Sequence, residues 1–305
     1  LRYMKNENIE SLKDIKILDC TIRDGGYLNN WKFEKKIVRE IYRASSDSSI
    51  DIFEIGFKSS EDFFNKKDYG LWRFSDEKDI KEVIKDISGA KIGLMIDFGK
   101  INKKNIPEKD QSIASIIRVA VHKNKIKDAL NLIEFIKDKG YKTSIQMMGY
   151  STFTDHEQKN IVKLLENSNV DYAYIADSYG SILPFQISKL CEPLLEIPGL
   201  KIGFHPHNSL QMAFANTLEA IKSGVHIIDG SIFGMGRGAG NLPIETIVAY
   251  LQLRGIKRYN VIPILHCIDK YFVDYHKKYK WGYQLPYLLS GLFDCHPYYS
   301  KTLVD

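Results

Sequence analysis

The chain has 305 residues, 44% hydrophobic and 27% charged, with 43 Lys plus Arg against 38 Asp plus Glu, a net charge of +5. Its length fits one barrel-sized domain or two small ones, and basic residues scattered among acidic ones speak against the clustered positive face of a nucleic-acid binder. No stretch approaches the ~20 apolar residues of a membrane span. The cysteines Cys20, Cys191, Cys267 and Cys295 form no CxxC pair, so they point to reduced thiols in a cytoplasmic protein rather than a disulfide framework.

Residues 1–14 read as a polar lead-in. Short β-branched apolar runs then recur: KILDCTIRD (16–24), IDIFEIGF (50–57), KIGLMIDF (91–98), SIIRVAV (115–121), KTSIQMMG (142–149), DYAYIADS (171–178), KIGFHPHN (201–208) and VHIIDGSIF (225–233). Between them lie segments with helical spacing of apolar residues, such as FEKKIVREIYRAS, IKDALNLIEFIKDKG and LQMAFANTLEAIKSG. Strands alternating with helices imply a parallel sheet, and eight such units in ~220 residues imply an α/β fold of the closed (β/α)8 TIM-barrel type over residues 15–254. An open doubly wound sheet is the weaker alternative, because no GxGxxG follows the first strand. A glycine-rich loop, GMGRGAGN (234–241), follows the eighth strand. Residues 255–305 form a short helical and aromatic C-terminal extension, expected to pack on the barrel, cover its mouth or make a homodimer contact.

Chemistry in such barrels sits at the C-terminal ends of the strands. Here those ends supply Arg23 with Asp24, then Glu54, Asp97, Arg118, Gln146, Asp177 with Ser178, His205 with His207, and Asp229. Histidines at i and i+2 of a strand face the same side, roughly 6–7 Å apart. Two imidazoles and a carboxylate such as Asp24 can hold one divalent ion and leave positions open for chemistry.

Three motifs in order, LDCTIRDGG, GFHPHNS and GMGRGAGN, resemble the DRE-TIM metallolyase superfamily, which includes 3-hydroxy-3-methylglutaryl-CoA (HMG-CoA) lyase. The loop GAGN and ADSYGS at strand six look closest to aldolases of the 4-hydroxy-2-oxovalerate type. The resemblance implies that Asp24, His205 and His207 are metal ligands, with Asn241 a fourth ligand or a neighbour of the ligands. It implies that Arg23 stabilises an enolate oxygen and that Ser178 touches the substrate carboxylate; Glu54 and Gln146 are further candidates for substrate binding. Where these aldolases keep a histidine base, this chain has Tyr27, and a tyrosine titrating near pH 10 cannot simply replace it. His296, or a water, is then a candidate proton carrier, and Tyr287 is the nearest match to a tail tyrosine that supports the base. The glycine loop lacks the cysteine of the HMG-CoA lyases.

The expected function is that of a divalent-metal-dependent aldolase or lyase. It would make or cleave a carbon–carbon bond through the enolate of a 2-oxo acid such as pyruvate, with an aldehyde as the other partner. One alternative is an acyl-CoA-dependent Claisen synthase on the same site. Another is a non-catalytic barrel acting as a binding or scaffold subunit. A mixed nitrogen and oxygen ligand set favours Mn2+ or Mg2+ and also suits Co2+ or Zn2+.

Overall fold

Eight parallel strands close on themselves in chain order. The structure is a computed structural model that describes residues 12–296 and Tyr299. The strands are β1 (Lys16–Asp19), β2 (Ile52–Phe57), β3 (Lys91–Asp97), β4 (Ile116–Val121), β5 (Lys142–Met148), β6 (Tyr172–Asp177), β7 (Lys201–Pro206) and β8 (Ile227–Gly230). The helices up to the end of the barrel are α1 (Thr21–Asn29), α2 (Lys35–Asp47), α3 (Glu77–Ile84), α4 (Ile126–Asp138), α5 (Asp155–Glu166), α6 (Pro184–Leu195), α7 (Ala213–Ser223) and α8 (Ile244–Leu253). The outer helices bury one stripe each: α4 buries Ile126, Ala129, Leu132, Ile133 and Ile136, the i, i+3, i+7 spacing of a helix docked on a sheet. The β3–β4 connection departs from the pattern, having only two short 3-10 turns among its described residues.

The strand registers sort the inward-facing residues into layers. Leu18, Gly93, Ser144 and Gly203 come from the odd strands, and Glu54, Arg118, Tyr174 and Asp229 from the even strands form the next layer toward the mouth. Above these sit Cys20, Met95, Gln146 and His205. One of these layers is ionic. Arg118 donates to Glu54 (2.8 Å) and to Asp229 (2.5 Å), and all three are fully buried. Such charges are tolerated inside only because each is paired. Glu54, Arg118 and Asp229 therefore lie beneath the mouth rather than in its wall.

The first strand is shorter than its sequence run. β1 stops at Asp19, whose carboxylate accepts from the backbone N–H of Thr21 (2.8 Å) and from the Thr21 hydroxyl. That local turn starts α1, so Arg23 and Asp24 stand in the first turns of a helix, not at a strand end. Gly25 and Gly26 lie within the same helix. A Cβ on Gly26 would lie 2.1 Å from the Trp31 ring, so glycine there is needed for close packing.

The described part of the extension packs on the barrel. Helix α9 (Ile262–Cys267) lies against α2 and continues through a wide π turn, Ile268–Phe272, into α10 (Val273–Tyr279). The Tyr259 hydroxyl donates to Asp51 (2.7 Å), and Trp281 Nε1 donates to the Phe233 carbonyl (2.8 Å) beside the glycine loop. A further helix, α11 (Leu285–Leu292), follows at the mouth. The predicted lead-in falls largely on residues 1–11, outside the described residues.

Candidate metal centre and active site

Asp24, His205 and His207 converge: one ligand atom from each can be chosen so that all lie within 4.8 Å of one another. Asp24 Oδ2 is 3.5 Å from His205 Nε2 and 3.8 Å from His207 Nε2. The second nitrogen of each ring faces another partner. His205 Nδ1 is 3.0 Å from Asp229 Oδ2, and His207 Nδ1 is 3.3 Å from the Gly240 carbonyl. Both acceptors place the ring proton on Nδ1 and leave the Nε2 lone pairs aimed at Asp24, the arrangement that precedes metal ligation.

The site's electrostatics agree. Burial alone would raise the Asp24 carboxyl, but Arg23 and the two histidines outweigh it and hold it well below the usual carboxylate range. Burial drives His207 down to about 3, so it is neutral at pH 7. Burial opposes a charge on His205 too, yet Asp229 and Asp24 overcome it and raise its pKa.

Two buried atoms at the site have no hydrogen-bond partner among the described residues: Asp24 Oδ2 and Asn241 Oδ1. An orphaned buried oxygen is costly, and a cation held by Asp24 Oδ2 and the two Nε2 atoms would satisfy it. Asn241 reaches the site because residue 236 is glycine; a Cβ there would meet Asn241 Nδ2 at 2.3 Å. The residues present thus fit a divalent metal with Asp24, His205 and His207 as ligands and Asn241 beside them.

Arg23 borders this group, with Nη1 3.6 Å from Asp24 Oδ1 and Nε bonded to Glu54 Oε2 at 2.6 Å. Glu54 has no exposure and gives its other oxygen to Arg118. Glu54, expected to bind substrate, has both its oxygens committed to arginines, one to Arg23 and one to Arg118. Gln146 is buried and donates to Ser144 (3.0 Å), and it does not line the mouth cavity.

That cavity, of about 530 Å3, opens where β3 to β6 end; its wall includes Tyr27, His122, Ser178, Arg237, Tyr287 and His296. A larger one, about 620 Å3, opens at the other end of the barrel among Lys16, Lys91, Lys142 and Lys201. The triad residues line neither cavity, and the mouth cavity is the one at the strand ends that carry them, so position in the barrel rather than volume locates the site. Tyr27 meets Trp31 edge-on, with ring centroids 4.8 Å apart, and also faces the cavity. Burial, and then the Asp97 charge, push its hydroxyl up to about 12. With 40% of the residue open to the cavity, solvent tempers that rise, but the direction keeps the phenol protonated at neutral pH. The Ser178 hydroxyl accepts from the Gly149 N–H at 2.9 Å. His296 Nε2 lies 2.7 Å from Arg237 Nη1, and burial and the Arg237 charge lower its pKa to about 4.

Sequence reasoning passed over Arg237 and His122. The signal for Arg237 was a charged residue inside GMGRGAGN. His122 stands one residue beyond β4, the position where barrel strands deliver functional groups.

A carboxylate and two imidazoles able to hold a metal ion, at the C-terminal mouth of a closed barrel with an arginine against them, mark the class of barrel metalloenzymes. The chain belongs to the HMGL-like family, whose model matches residues 14–264. It is similar to 4-hydroxy-2-oxovalerate aldolase of Geobacillus genomosp. 3, with 29% identity over 85% of this chain and 77% of that one. It is also similar to oxaloacetate decarboxylase of Mycobacterium tuberculosis, with 30% identity over 78% of this chain and 70% of the relative. Among solved structures, the N-terminal domain of a candidate aldolase from Bacteroides vulgatus superposes with a TM-score of 0.83 at 30% identity, covering 95% and 96% of the two chains. The HMG-CoA lyase of Bacillus subtilis shares the fold, with a TM-score of 0.70 at 18% identity over 91% and 97%.

Proposed function

We propose that this protein is a divalent-metal-dependent carbon–carbon lyase that acts through the enolate of a 2-oxo acid such as pyruvate, with a small aldehyde as the other product or substrate. The observation that carries the reading is the convergence of Asp24 Oδ2, a buried oxygen without a hydrogen-bond partner among the described residues, on two imidazoles whose Nε2 atoms face it. Asp24, His205 and His207 would hold the ion, with Asn241 as a further oxygen. Bound there, the ion would supply Lewis acidity toward the carboxylate and keto oxygen of the 2-oxo acid. Mn2+ or Mg2+ suits this oxygen-containing set, and Co2+ or Zn2+ is compatible.

In the cleavage direction, the substrate's 4-hydroxyl loses its proton and the C3–C4 bond breaks. The aldehyde leaves, and the electron pair moves through C3 and C2 onto the keto oxygen. Arg23, fixed by Glu54, supplies charge where that enolate oxygen develops, an interaction stronger in the transition state than in the ground state. Protonation of C3 completes the 2-oxo acid. Tyr27 keeps its proton at neutral pH, so it orients or donates. His296, with a pKa of about 4, is neutral, and its Nε2 accepts from Arg237 Nη1, so it would take a proton in the same cavity only when that contact opens. Ser178 and Tyr287 line the same cavity, where Ser178 would bind the carboxylate and Tyr287 would support the proton carrier. Loss of CO2 from oxaloacetate, the reaction for which one relative is named, generates the same enolate.

None of the helices among the described residues is long and apolar enough to cross a membrane. Four free cysteines support a reducing, cytoplasmic setting. Exposed Leu285, Leu289, Leu292 and Phe293 on and beside α11 support a homodimer through the extension.

The test is exchange of the pyruvate methyl protons in D2O, followed by NMR with the Mg2+-, Mn2+-, Co2+- or Zn2+-loaded protein. Exchange that disappears in His207→Ala supports the enolate, and pyruvate release from 4-hydroxy-2-oxo acids identifies the aldol step. No exchange with any of the four metals refutes the reading. Thiol release from acetyl-CoA plus a 2-oxo acid would assign the Claisen reaction instead.

A further inference from the structure

Arg237 is a cation without a counter-ion among the described residues. It lines the mouth cavity, where Asp97 is the one carboxylate among the lining residues, and Asp97 is already bound by Arg73 at 2.5 Å. Arg237 makes no ion pair among the described residues. Its Nη1 meets the His296 ring, and its Nη2 reaches only the Ser178 carbonyl, at 3.5 Å. Its Nε is shut off from solvent with no acceptor. The guanidinium carbon stands 5.5 Å from the centre of the Tyr27 ring, which limits its freedom to swing outward. The backbone that presents it is also held: Gly240 N–H donates to the Arg237 carbonyl (3.0 Å), and Gly282 N–H donates to the Gly238 carbonyl (3.2 Å). A partly buried guanidinium that is held in place yet left short of acceptors costs stability unless something completes it. The other arginines of the site, Arg23, Arg73 and Arg118, each have a carboxylate.

We infer that Arg237 binds an anionic group carried by the substrate at the end remote from its 2-oxo acid, so that this enzyme's substrates are acidic at both ends. The inference rests on the proposed 2-oxo-acid chemistry for the nature of the near end. The distal group is a planar carboxylate or a phosphate, either of which an arginine fork can bind with charge-assisted hydrogen bonds. His296 would hold Nη1 and leave Nη2 to turn toward the ligand.

The experiment measures binding by calorimetry to the full-length, Mn2+-loaded protein and to Arg237→Gln, with matching melting temperatures as the control for folding. Oxalate probes the metal end alone. 2-Oxoglutarate, 4-phosphono-2-oxobutanoate and the uncharged isostere 5-methyl-2-oxohexanoate probe the distal end. The expected result is that one or both distal anions bind about tenfold or more tighter than the isostere. That preference should vanish in Arg237→Gln while oxalate affinity stays within about twofold. The anion with the larger preference identifies carboxylate or phosphate as the natural group. No preference in the wild type, or a preference that survives Arg237→Gln, overturns the inference whatever oxalate does. Failure of oxalate to bind overturns the 2-oxo-acid reading instead, and the charge preference still decides the role of Arg237.

Discussion

Replacing Asp229 with asparagine separates the site's support from its ligands. Asp229 has no exposure, and a single oxygen, Oδ2, takes both Arg118 Nη2 (2.5 Å) and His205 Nδ1 (3.0 Å), while Oδ1 has no partner among the described residues. Asparagine can set its carbonyl at the Oδ2 position and keep both contacts, but without charge. The His205 bond becomes a neutral one and the Arg118 bond loses its anionic acceptor, a loss of about 1 kcal/mol each. Arg118 also keeps Glu54 as its one remaining counter-ion. The sum is a destabilisation of about 2–4 kcal/mol, below the 3–5 kcal/mol of a buried pair broken outright. Metal affinity should fall by about 10–100-fold, because His205 loses the anion that fixes its tautomer and raises its basicity. Urea unfolding of the metal-free protein reads the first quantity, and chelator competition for Mn2+ reads the second. If stability drops as expected but the Mn2+ affinity stays within about twofold, Asp229 serves Arg118 alone and the reasoning about His205 is wrong.

Arg23→Ala should retain Mn2+ and cut pyruvate proton exchange by about 10²–10³-fold, the effect of removing one donor to a developing oxyanion; near-normal exchange would reduce Arg23 to a counter-ion of Asp24. Tyr27→Phe should lower turnover by about 10²-fold with KM unchanged, and unchanged turnover would leave Tyr27 only its packing on Trp31. The fourth outcome concerns pH. Burial outweighs the N–H bonds from Ser181 and Ile182 and lifts Asp177 from 3.8 to about 7. A carboxyl raised in the fold contributes stability below its unfolded pKa, and that stability is lost as pH climbs through the folded value. Asp177→Asn should therefore gain on the wild type between pH 4 and pH 7, by at most ~1.4 kcal/mol per pH unit. Melting curves at pH 5 and pH 8 measure the gap, and a gap that narrows toward pH 8 contradicts the assignment.

The barrel was legible in the sequence because a strand buried on both faces must be a short apolar run, and eight such runs each end in polar residues. The pairing of His205 with His207 was legible for a related reason: a period of two is local, so residues i and i+2 share a face wherever the strand lies. Asp24 was found through its motif, but its place was not, since the turn from Asp19 to Thr21 ends the strand five residues early and a helix carries the carboxylate instead. Composition along β2, β4 and β8 gave Glu54, Arg118 and Asp229 as strand-end charges. Only the register of a closed barrel puts them in one layer, where they neutralise one another below the metal ligands. The meeting of Arg237 with His296 lay still further from sequence reach. It joins a glycine loop to the extension, and no periodicity links two residues whose proximity is decided by how the tail packs over the barrel mouth.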